Sequence, residues 1–344
     1  MVQKNGNATG LSRRLFLTAT GVGALGVALS ACGSGSSGTS PASAPAGNGF
    51  PLTVPGAEGE AVIPAKPGKV ISVGFMRDLD EAVSLGVNPV ATTPSTNFDS
   101  GLPPWVEAKL GGAKIEQLSY EDNLPFEKIA SLGPDLILAT DSYSLADDYK
   151  NLSAIAPTLS YEKDVAEDTW QTRATRIGSA LGRADEAKKI VADVTSKVEA
   201  AKKQHEKLLS GKTFTFSLIN SDGAIATIIL PTDASAAFLS QLGLTLSQKV
   251  TSLPQAGPAG RATVAQENTD LLDADLVLFS FRSAEEKAKV EGDRLFQNLP
   301  AVKKGAYIPI DVETALSIAF PSTLSIPYAL DKIIPQLVQA AGKA

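Results

Sequence analysis

The sequence predicts an α/β protein made of two Rossmann-like lobes joined by a single long helix, with a ligand cleft between the lobes. The first reason is a phrase that occurs twice: residues 124–138 and 264–278 both read as a short helix followed by an apolar strand. In each copy a glutamate, Glu127 or Glu267, precedes the strand Asp-Leu-(Ile/Val)-Leu by the same interval. The second reason is that strand and helix patterns alternate along the chain, which favours parallel βα layers. Two related lobes usually enclose a binding site between them.

Composition limits the classes of function. The 344 residues suffice for two domains, and a content of 43% hydrophobic residues is typical of a globular protein with a sizeable core. The net charge is −6, and because the first 31 residues carry three basic and no acidic side chains, the remainder carries −9. An acidic body argues against a nucleic-acid partner. One Cys and one His allow no internal disulfide and argue against a zinc site; that histidine, His205, is expected to lie on a solvated helix face.

Residues 1–31 are predicted to be a targeting segment. The run 12–17, with Arg13 and Arg14, resembles a twin-arginine export signal, and a short apolar run follows it. The segment ends in Leu-Ser-Ala before Cys32, which resembles a lipobox, so Cys32 is the predicted lipidation site. A plain signal peptide with an incidental cysteine is the alternative. Residues 32–51 are rich in Gly, Ser, Ala and Pro and are expected to form a flexible tether.

The first lobe is predicted over residues 52–167. Apolar runs bounded by Gly, Pro and Asp indicate its strands, and Gly after an apolar-periodic run indicates the end of a helix. In order, we expect a hairpin over 52–63, a strand over 69–73, a helix over 79–85, a strand over 90–92, a helix over 127–132 and a strand over 136–139.

Residues 168–210 are predicted to link the lobes, and residues 211–344 to form the second lobe. A helix over 185–209 would be roughly 37 Å long, enough to pass from one lobe to the next. Its apolar face is expected to comprise Ala187, Ile190, Val191, Val194, Val198, Ala201 and Leu208. Trp170, just before this helix, is expected to pack the lobe junction or, alternatively, to wall the cleft. The second lobe is expected to contain strands over 213–219, 225–230 and 306–310, helices over 234–242 and 324–340, and the second copy of the repeat.

Candidate ligand-binding residues follow the predicted strands, because ligands of parallel sheets sit beyond the carboxyl ends of the strands. Aromatic side chains together with arginines suit a bulky, partly anionic organic ligand. The alternatives are that the aromatic residues pack the lobe cores and the arginines lie at the surface, or that carboxylates such as Asp78 and Asp80 act as acid/base groups. We find no hydrolase, P-loop or dinucleotide-binding signature. The candidates are Phe75, Arg77, Phe98, Trp105, Tyr143, Phe281 and Arg282.

The two repeat glutamates are each expected in the first turn of a helix. Glu127 follows a helix start at Asn123-Leu124-Pro125, and residues 263–266 read as a capping box ahead of Glu267. An acid at this position complements the helix dipole, which is the ordinary explanation. Because a glutamate occurs at the same place in both copies of the repeat, a shared function at the protein surface is favoured instead.

Several motifs in order resemble one family. The phrase around Glu127 with Pro134-Asp135-Leu136-Ile137 is the most specific, and residues 63–72, 79–90, 155–158 and 298–302 add to it. On these motifs, residues 52–344 resemble the substrate-binding lipoproteins of bacterial ABC importers for iron–siderophore complexes and cobalamin.

The resemblance implies two lobes on one long helix and a ferric siderophore in the cleft. It implies that Glu127 and Glu267 dock onto arginines of the membrane permease, and that Arg261 and Tyr120 line the cleft. Iron would enter only as part of the siderophore chelate, with no intrinsic cofactor, and Arg77 with Arg261 and Arg282 would make the cleft locally positive. We expect a monomer outside the cytoplasm, anchored to the membrane by its lipid. Haem or cobalamin binding is the alternative within this class, and an exported cell-envelope enzyme is the alternative outside it.

Overall fold

The computed structural model describes residues 49–119, 123–220, 223–257 and 260–344. The signal segment and Cys32 therefore lie outside the described residues, as do Tyr120 and the residue pairs 221–222 and 258–259. The folded chain begins with an antiparallel hairpin of β1 (Leu52–Val54) and β2 (Ala61–Ile63). Each strand buries its first and last residue, so the predicted hairpin is confirmed and covers one side of the first lobe.

A parallel sheet forms the centre of the first lobe. In the described part of the chain its strand order is β5-β4-β3-β6-β7, and all neighbouring pairs are parallel. The central strands β3 and β6 are buried at every position, which accounts for their largely apolar sequences, with Ser72 the one polar residue in either strand. The strands are β3 (Val70–Ser72), β4 (Ala91–Thr92), β5 (Glu116–Gln117), β6 (Leu136–Leu138) and β7 (Thr158–Leu159).

The helices of the first lobe connect these strands. α2 starts on a proline, and α3 ends at Gly133, whose left-handed φ of 59° suits glycine. They are α1 (Arg77–Ser84), α2 (Pro104–Leu110), α3 (Phe126–Leu132) and α4 (Leu145–Ile155).

Two helices lead out of the first lobe: α5 (Trp170–Ala180) and α6 (Ala184–Leu209). α6 has 26 residues and is shared by two cores. Near its start Ala187 packs in the first-lobe core with the hairpin, whereas Val194 and Val198 pack in the second-lobe core. The predicted long connecting helix is therefore confirmed. One predicted contact is wrong, because Leu208 is exposed and its neighbour Leu209 is buried instead.

The second lobe is built on a mixed sheet. Within the described residues its order is β11-β9-β8-β12-β13, and β10 pairs in parallel with the first two residues of β8. β8 and β9 are antiparallel because the connection of five residues between them cannot make the crossover that parallel strands need, and β9 is also antiparallel to β11. The strands are β8 (Thr213–Ile219), β9 (Ile225–Ile228), β10 (Thr245–Leu246), β11 (Arg261–Val264), β12 (Leu276–Phe281) and β13 (Tyr307–Asp311).

The helices of the second lobe surround this sheet. They are α7 (Ala234–Gln241), α8 (Gln248–Thr251), a 3₁₀ helix (Gln266–Leu272), α9 (Ala284–Glu291), α10 (Arg294–Gln297), α11 (Pro300–Lys304), α12 (Val312–Ala319) and α13 (Ser325–Ala341). None of the helices in the described ranges is both long enough and apolar enough to cross a membrane.

The repeated phrase occupies equivalent places in the two lobes. In the first lobe α3 leads into β6, which pairs in parallel with the lobe's opening strand β3. In the second lobe the 3₁₀ helix leads into β12, which pairs in parallel with the opening strand β8. The two-lobe interpretation of the repeat is confirmed, while the residue boundaries predicted for the lobes and linker stay a prediction.

Candidate functional site

A cavity lies where the two lobes meet, beside the carboxyl ends of β8 and β12. Its volume is about 220 Å³, and we call it the cleft cavity. The first lobe contributes Asn97 from the loop after β4, and the second lobe contributes the remaining wall. The cleft cavity is lined by Asn97, Phe216, Ser217, Leu218, Ile219, Ser235, Arg261, Ser280, Arg282, Glu286, Val312, Ala315, Leu316, Ala319 and Phe320.

An aromatic pair connects the lobes at the edge of this cavity. Phe75, in the loop after β3, lies against Phe320 at the end of α12 with 4.8 Å between ring centroids. Phe75 is half-buried and its partner Phe320 lines the cavity, so Phe75 lies beside the cleft cavity, while its predicted contact with the ligand stays a prediction. Phe320 was missed from the sequence, since no motif marks the loop that follows α12.

Arg261 and Arg282 both line the cleft cavity, as predicted, but neither is a free cation. Nη2 of Arg261 lies 3.5 Å from Oδ2 of Asp233, the residue that caps α7. Arg282 donates from Nε to Glu286 at 3.1 Å and from Nη2 to the carbonyl of Ile219 at 2.8 Å. The locally positive cleft expected from the sequence is therefore wrong for the described residues. The spacing of Arg282 and Glu286, four residues apart, could have indicated their pairing.

Arg77 lies deeper than predicted. Its side chain is 6% exposed and forms an ion pair with Asp141, to which Nε also donates at 2.7 Å. Its guanidinium lies 5.4 Å from the ring centroid of Phe320. Arg77 also lines a small cavity of about 150 Å³ between the lobes, which we call the junction cavity, together with Trp170 and Pro321. Trp170 is buried in the second-lobe core, so the expectation that it packs the lobe junction agrees with the structure.

The other predicted cleft residues lie in different surroundings. Trp105 is 5% exposed, and its indole N–H donates to Asp80 at 2.9 Å, so the structure places it in the interior and away from the cleft wall. Phe98 packs edge-on against Trp105 at 5.9 Å and is half-buried. Tyr143, after β6, is 64% exposed, and Phe281 belongs to the second-lobe core. Tyr120 lies outside the described residues, so its predicted place in the cleft stays a prediction.

The lobes are bonded to each other through buried carboxylates of α1, in a group of residues that we call the junction cluster: Asp80, Glu81, Ser322 and Thr323. Oε1 of Glu81 accepts the backbone N–H of Thr323 at 3.0 Å, and Oε2 accepts the hydroxyl of Thr323. Asp80 accepts the hydroxyl of Ser322 as well as the Trp105 indole. Burial raises the pKa of Glu81 to about 7 and that of Asp80 well above its ordinary value.

Asp78 and Asp141 are two further buried carboxylates near this cluster. Burial and the nearby Asp141 raise the pKa of Asp78, which accepts a hydrogen bond from Thr140. Burial alone would raise the pKa of Asp141, but the guanidiniums of Arg77 and Arg173 outweigh it and lower that pKa. Asp141 therefore stays ionised opposite Arg77. Because Asp78 and Asp141 both have structural partners, a packing role is favoured for them over acid/base chemistry. No group of three or more His, Cys, Asp or Glu side chains in the described ranges is arranged to hold a metal ion.

The repeat glutamates lie on the surface. Glu127 is exposed in the first turn of α3, and Glu267 is exposed in the first turn of the 3₁₀ helix. Within the described part of the chain neither carboxylate has a hydrogen-bond or ion-pair partner, so both are available to a second protein. The predicted capping box is wrong, because Thr263 belongs to β11 and Ala265 is the cap residue, with no side-chain bond.

Another cavity, of about 230 Å³, lies on the second lobe. Its wall includes Ile225, Val264 and Val290, and it reaches Gln266 next to Glu267. Its lining residues in the described ranges all belong to the second lobe, and Ile219 lines both this cavity and the cleft cavity.

Comparison with known proteins identifies this architecture. Residues 60–313 match the family described as periplasmic binding protein. The chain belongs to that family. Periplasmic binding proteins bind solutes and are not enzymes, so the absence of catalytic signatures in the sequence has its explanation.

Individual known proteins are similar to the chain in sequence or in fold. A Bacillus subtilis (strain 168) protein named "Probable siderophore-binding lipoprotein YfiY" is 29% identical over 262 residues, which are 72% of this chain and 76% of that protein. A periplasmic solute binding protein from Mycobacterium smegmatis is 29% identical with a TM-score of 0.74, covering 84% of this chain and 98% of that one. PiaA from Streptococcus pneumoniae TIGR4, crystallised in complex with ferrichrome, is 25% identical with a TM-score of 0.70, covering 85% and 99%. The predicted fold class is confirmed.

Proposed function

We propose that this protein is a membrane-anchored receptor that captures a ferric siderophore and delivers it to the permease of an ABC importer. The observation that carries the proposal is the cleft cavity, which lies between two lobes of a solute-binding family and is lined by Phe320, Arg261 and Arg282. Arginine and aromatic groups recognise bulky polar chelates. The siderophore-binding relative and the ferrichrome-bound neighbour support this class of ligand.

Delivery would use the two repeat glutamates. Glu127 and Glu267 are exposed, one on each lobe, and have no partner of their own among the described residues. Each would meet an arginine of the permease. Since an exposed ion pair contributes only ~0–1 kcal/mol, the pair would set register and orientation more than affinity.

The remaining parts of the proposal concern location and cargo. Export by the twin-arginine route and lipid attachment at Cys32 would hold the receptor, as a monomer, at the outer face of the cell membrane. Iron would be carried as the Fe(III) of the chelate, with no cofactor resident in the protein. The acidic body, at −9 beyond the first 31 residues of a chain with net charge −6, supports a partner other than nucleic acid.

A fluorescence titration tests the proposal. Trp105 and Trp170 are both buried in the folded body, and ferric chelates that bind nearby quench indole emission. We expect saturable quenching by at least one of a panel of ferric siderophores, and a much smaller effect of the iron-free siderophore. Quenching by haem or cobalamin with none by any ferric siderophore would overturn the proposal.

A further inference from the structure

In the described part of the chain, every basic side chain that lines a cavity between the lobes has a carboxylate partner from its own lobe. Arg261 is paired with Asp233, and these side chains are only 20% and 17% exposed. Arg282 is paired with Glu286 at 3.1 Å. The positive charge of each guanidinium is offset before any ligand arrives.

Glu286, the partner of Arg282, accepts a hydrogen bond from Arg282 on each of its two carboxylate oxygens. Oε1 of Glu286 accepts Nε of Arg282, and Oε2 accepts the backbone N–H of the same residue at 2.9 Å. The carbonyl of Ile219 holds the far side of the guanidinium. Arg282 can still donate a hydrogen bond to a ligand, but it cannot leave Glu286 without breaking several bonds.

The basic residues that line two neighbouring cavities are also paired with carboxylates. An open hollow of about 550 Å³ at the ends of β12 and β13 shares Arg282 with the cleft cavity and adds Lys287, which is paired with Glu291 at 3.8 Å. That hollow also contains Asp311 and Glu313. The single basic residue lining the junction cavity, among the described residues, is Arg77, which is paired with Asp141. The short internal stretches outside the described ranges, at 120–122, 221–222 and 258–259, contain no Lys or Arg.

Uncharged donors complete the cleft cavity. Ser235 and Ser280 line it with the amide of Asn97, whereas the hydroxyl of Ser217, which also lines it, donates to Thr227. These groups suit carbonyl and N–O oxygens of a neutral ligand. A strongly anionic ligand would lose its hydration here without meeting unpaired positive charge, and electrostatic mismatch of this kind selects against it.

Resting on the proposed function, we infer that the cleft selects electrically neutral ferric chelates of the tris-hydroxamate class over anionic tris-catecholates. Three hydroxamate groups carry one negative charge each and neutralise Fe(III). Three catecholate groups carry two each and leave the complex triply negative. Because the charges of the cleft arginines are already offset by carboxylates, the cleft matches the neutral tris-hydroxamate complex and not the triply negative tris-catecholate complex.

A direct comparison of two probes tests the inference. Ferrichrome is the neutral tris-hydroxamate and ferric enterobactin is the anionic tris-catecholate, and both are titrated into the wild-type protein with Trp emission as the signal. We expect ferrichrome to bind at least about tenfold more tightly, with little dependence on salt because it is uncharged. Equal or tighter binding of ferric enterobactin overturns the inference and leaves the proposed function standing. Binding of neither probe nor of any other ferric siderophore overturns the proposed function itself.

Charge-neutralising variants sharpen the test. Glu286→Gln and Asp233→Asn each keep the shape of the side chain and release one guanidinium charge into the cleft. We expect each to tighten ferric enterobactin binding by about three- to tenfold while changing ferrichrome binding less. Glu285→Gln is the matched control, because this exposed glutamate lies on the same helix and does not line the cleft cavity. An equal gain in the control, or no gain in both cleft variants, overturns the inference.

Discussion

Glu81 places one ionisable group at the contact between the lobes, where its side chain is 1% exposed. Burial raises its pKa from the ordinary 4.5 to about 7, although the hydrogen bonds from Thr323 oppose the shift. We predict that replacing Glu81 by glutamine removes a pH-dependent part of the stability. Glutamine can still accept the backbone N–H of Thr323, and it cannot ionise.

The magnitude follows from the two pKa values. Each pKa unit corresponds to about 1.4 kcal/mol, so the shift from 4.5 to about 7 is worth about 3 kcal/mol. The native state binds the proton more tightly than the unfolded state. Glu81 therefore contributes fully below about pH 4.5, and this contribution is lost as the pH rises through about 7. Between about pH 5 and pH 8 the wild type should lose about 2 to 3 kcal/mol more of its free energy of unfolding than the variant loses.

Urea unfolding followed by Trp fluorescence at about pH 5 and pH 8 measures this difference. Asp78 and Asp80 remain in both proteins, and because Glu81 repels them electrostatically, the part of their pH dependence that comes from the Glu81 charge is removed together with it in the variant. Glu199→Gln on the exposed face of α6 is the control and should behave as wild type. If Glu81→Gln loses as much stability as wild type, within about 0.5 kcal/mol, the assignment of a raised pKa to Glu81 is refuted.

Three further predictions concern docking, packing and anchoring. The double variant Glu127→Ala with Glu267→Ala should keep its affinity for ferric siderophore and lose uptake in cells; a loss of affinity would place these residues in the cleft. Trp105→Phe should lower the free energy of unfolding by about 1–3 kcal/mol in urea, because Asp80 loses its indole donor; an unchanged value would mean that this buried bond contributes nothing. Cys32→Ala should move the protein from the membrane fraction to the soluble one, and continued membrane attachment would contradict lipidation at this residue.

Elements with a strong local pattern were predictable from the sequence. The alternating run Thr213–Ile219 is β8 to the residue, and the amphipathic segment starting near Asp185 is α6 with one residue added. Both predictions depend on hydrophobic periodicity within one element, and the tertiary contacts of these elements reinforce that pattern. The repeat was informative because equivalent strands of two similar sheets need the same apolar phrase.

The site was less predictable, because its contacts join distant parts of the chain. Arg77 meets Asp141 across 64 residues, and Glu81 meets Thr323 across 242. A charged residue after a strand looks the same in sequence whether it faces solvent or a buried partner. For this reason Trp105 and Arg77 were expected at the cleft wall, and the structure places both against buried carboxylates.

The shared helix and the junction cluster have a joint mechanical consequence. α6 ties the lobes together through the backbone, and Glu81 with Thr323 ties them again through side chains. A body pinned at two places can turn only about the line that runs through both. Opening of this receptor would then be a shallow rotation about one axis, with the rims of the lobes travelling farthest and the pinned edge hardly moving.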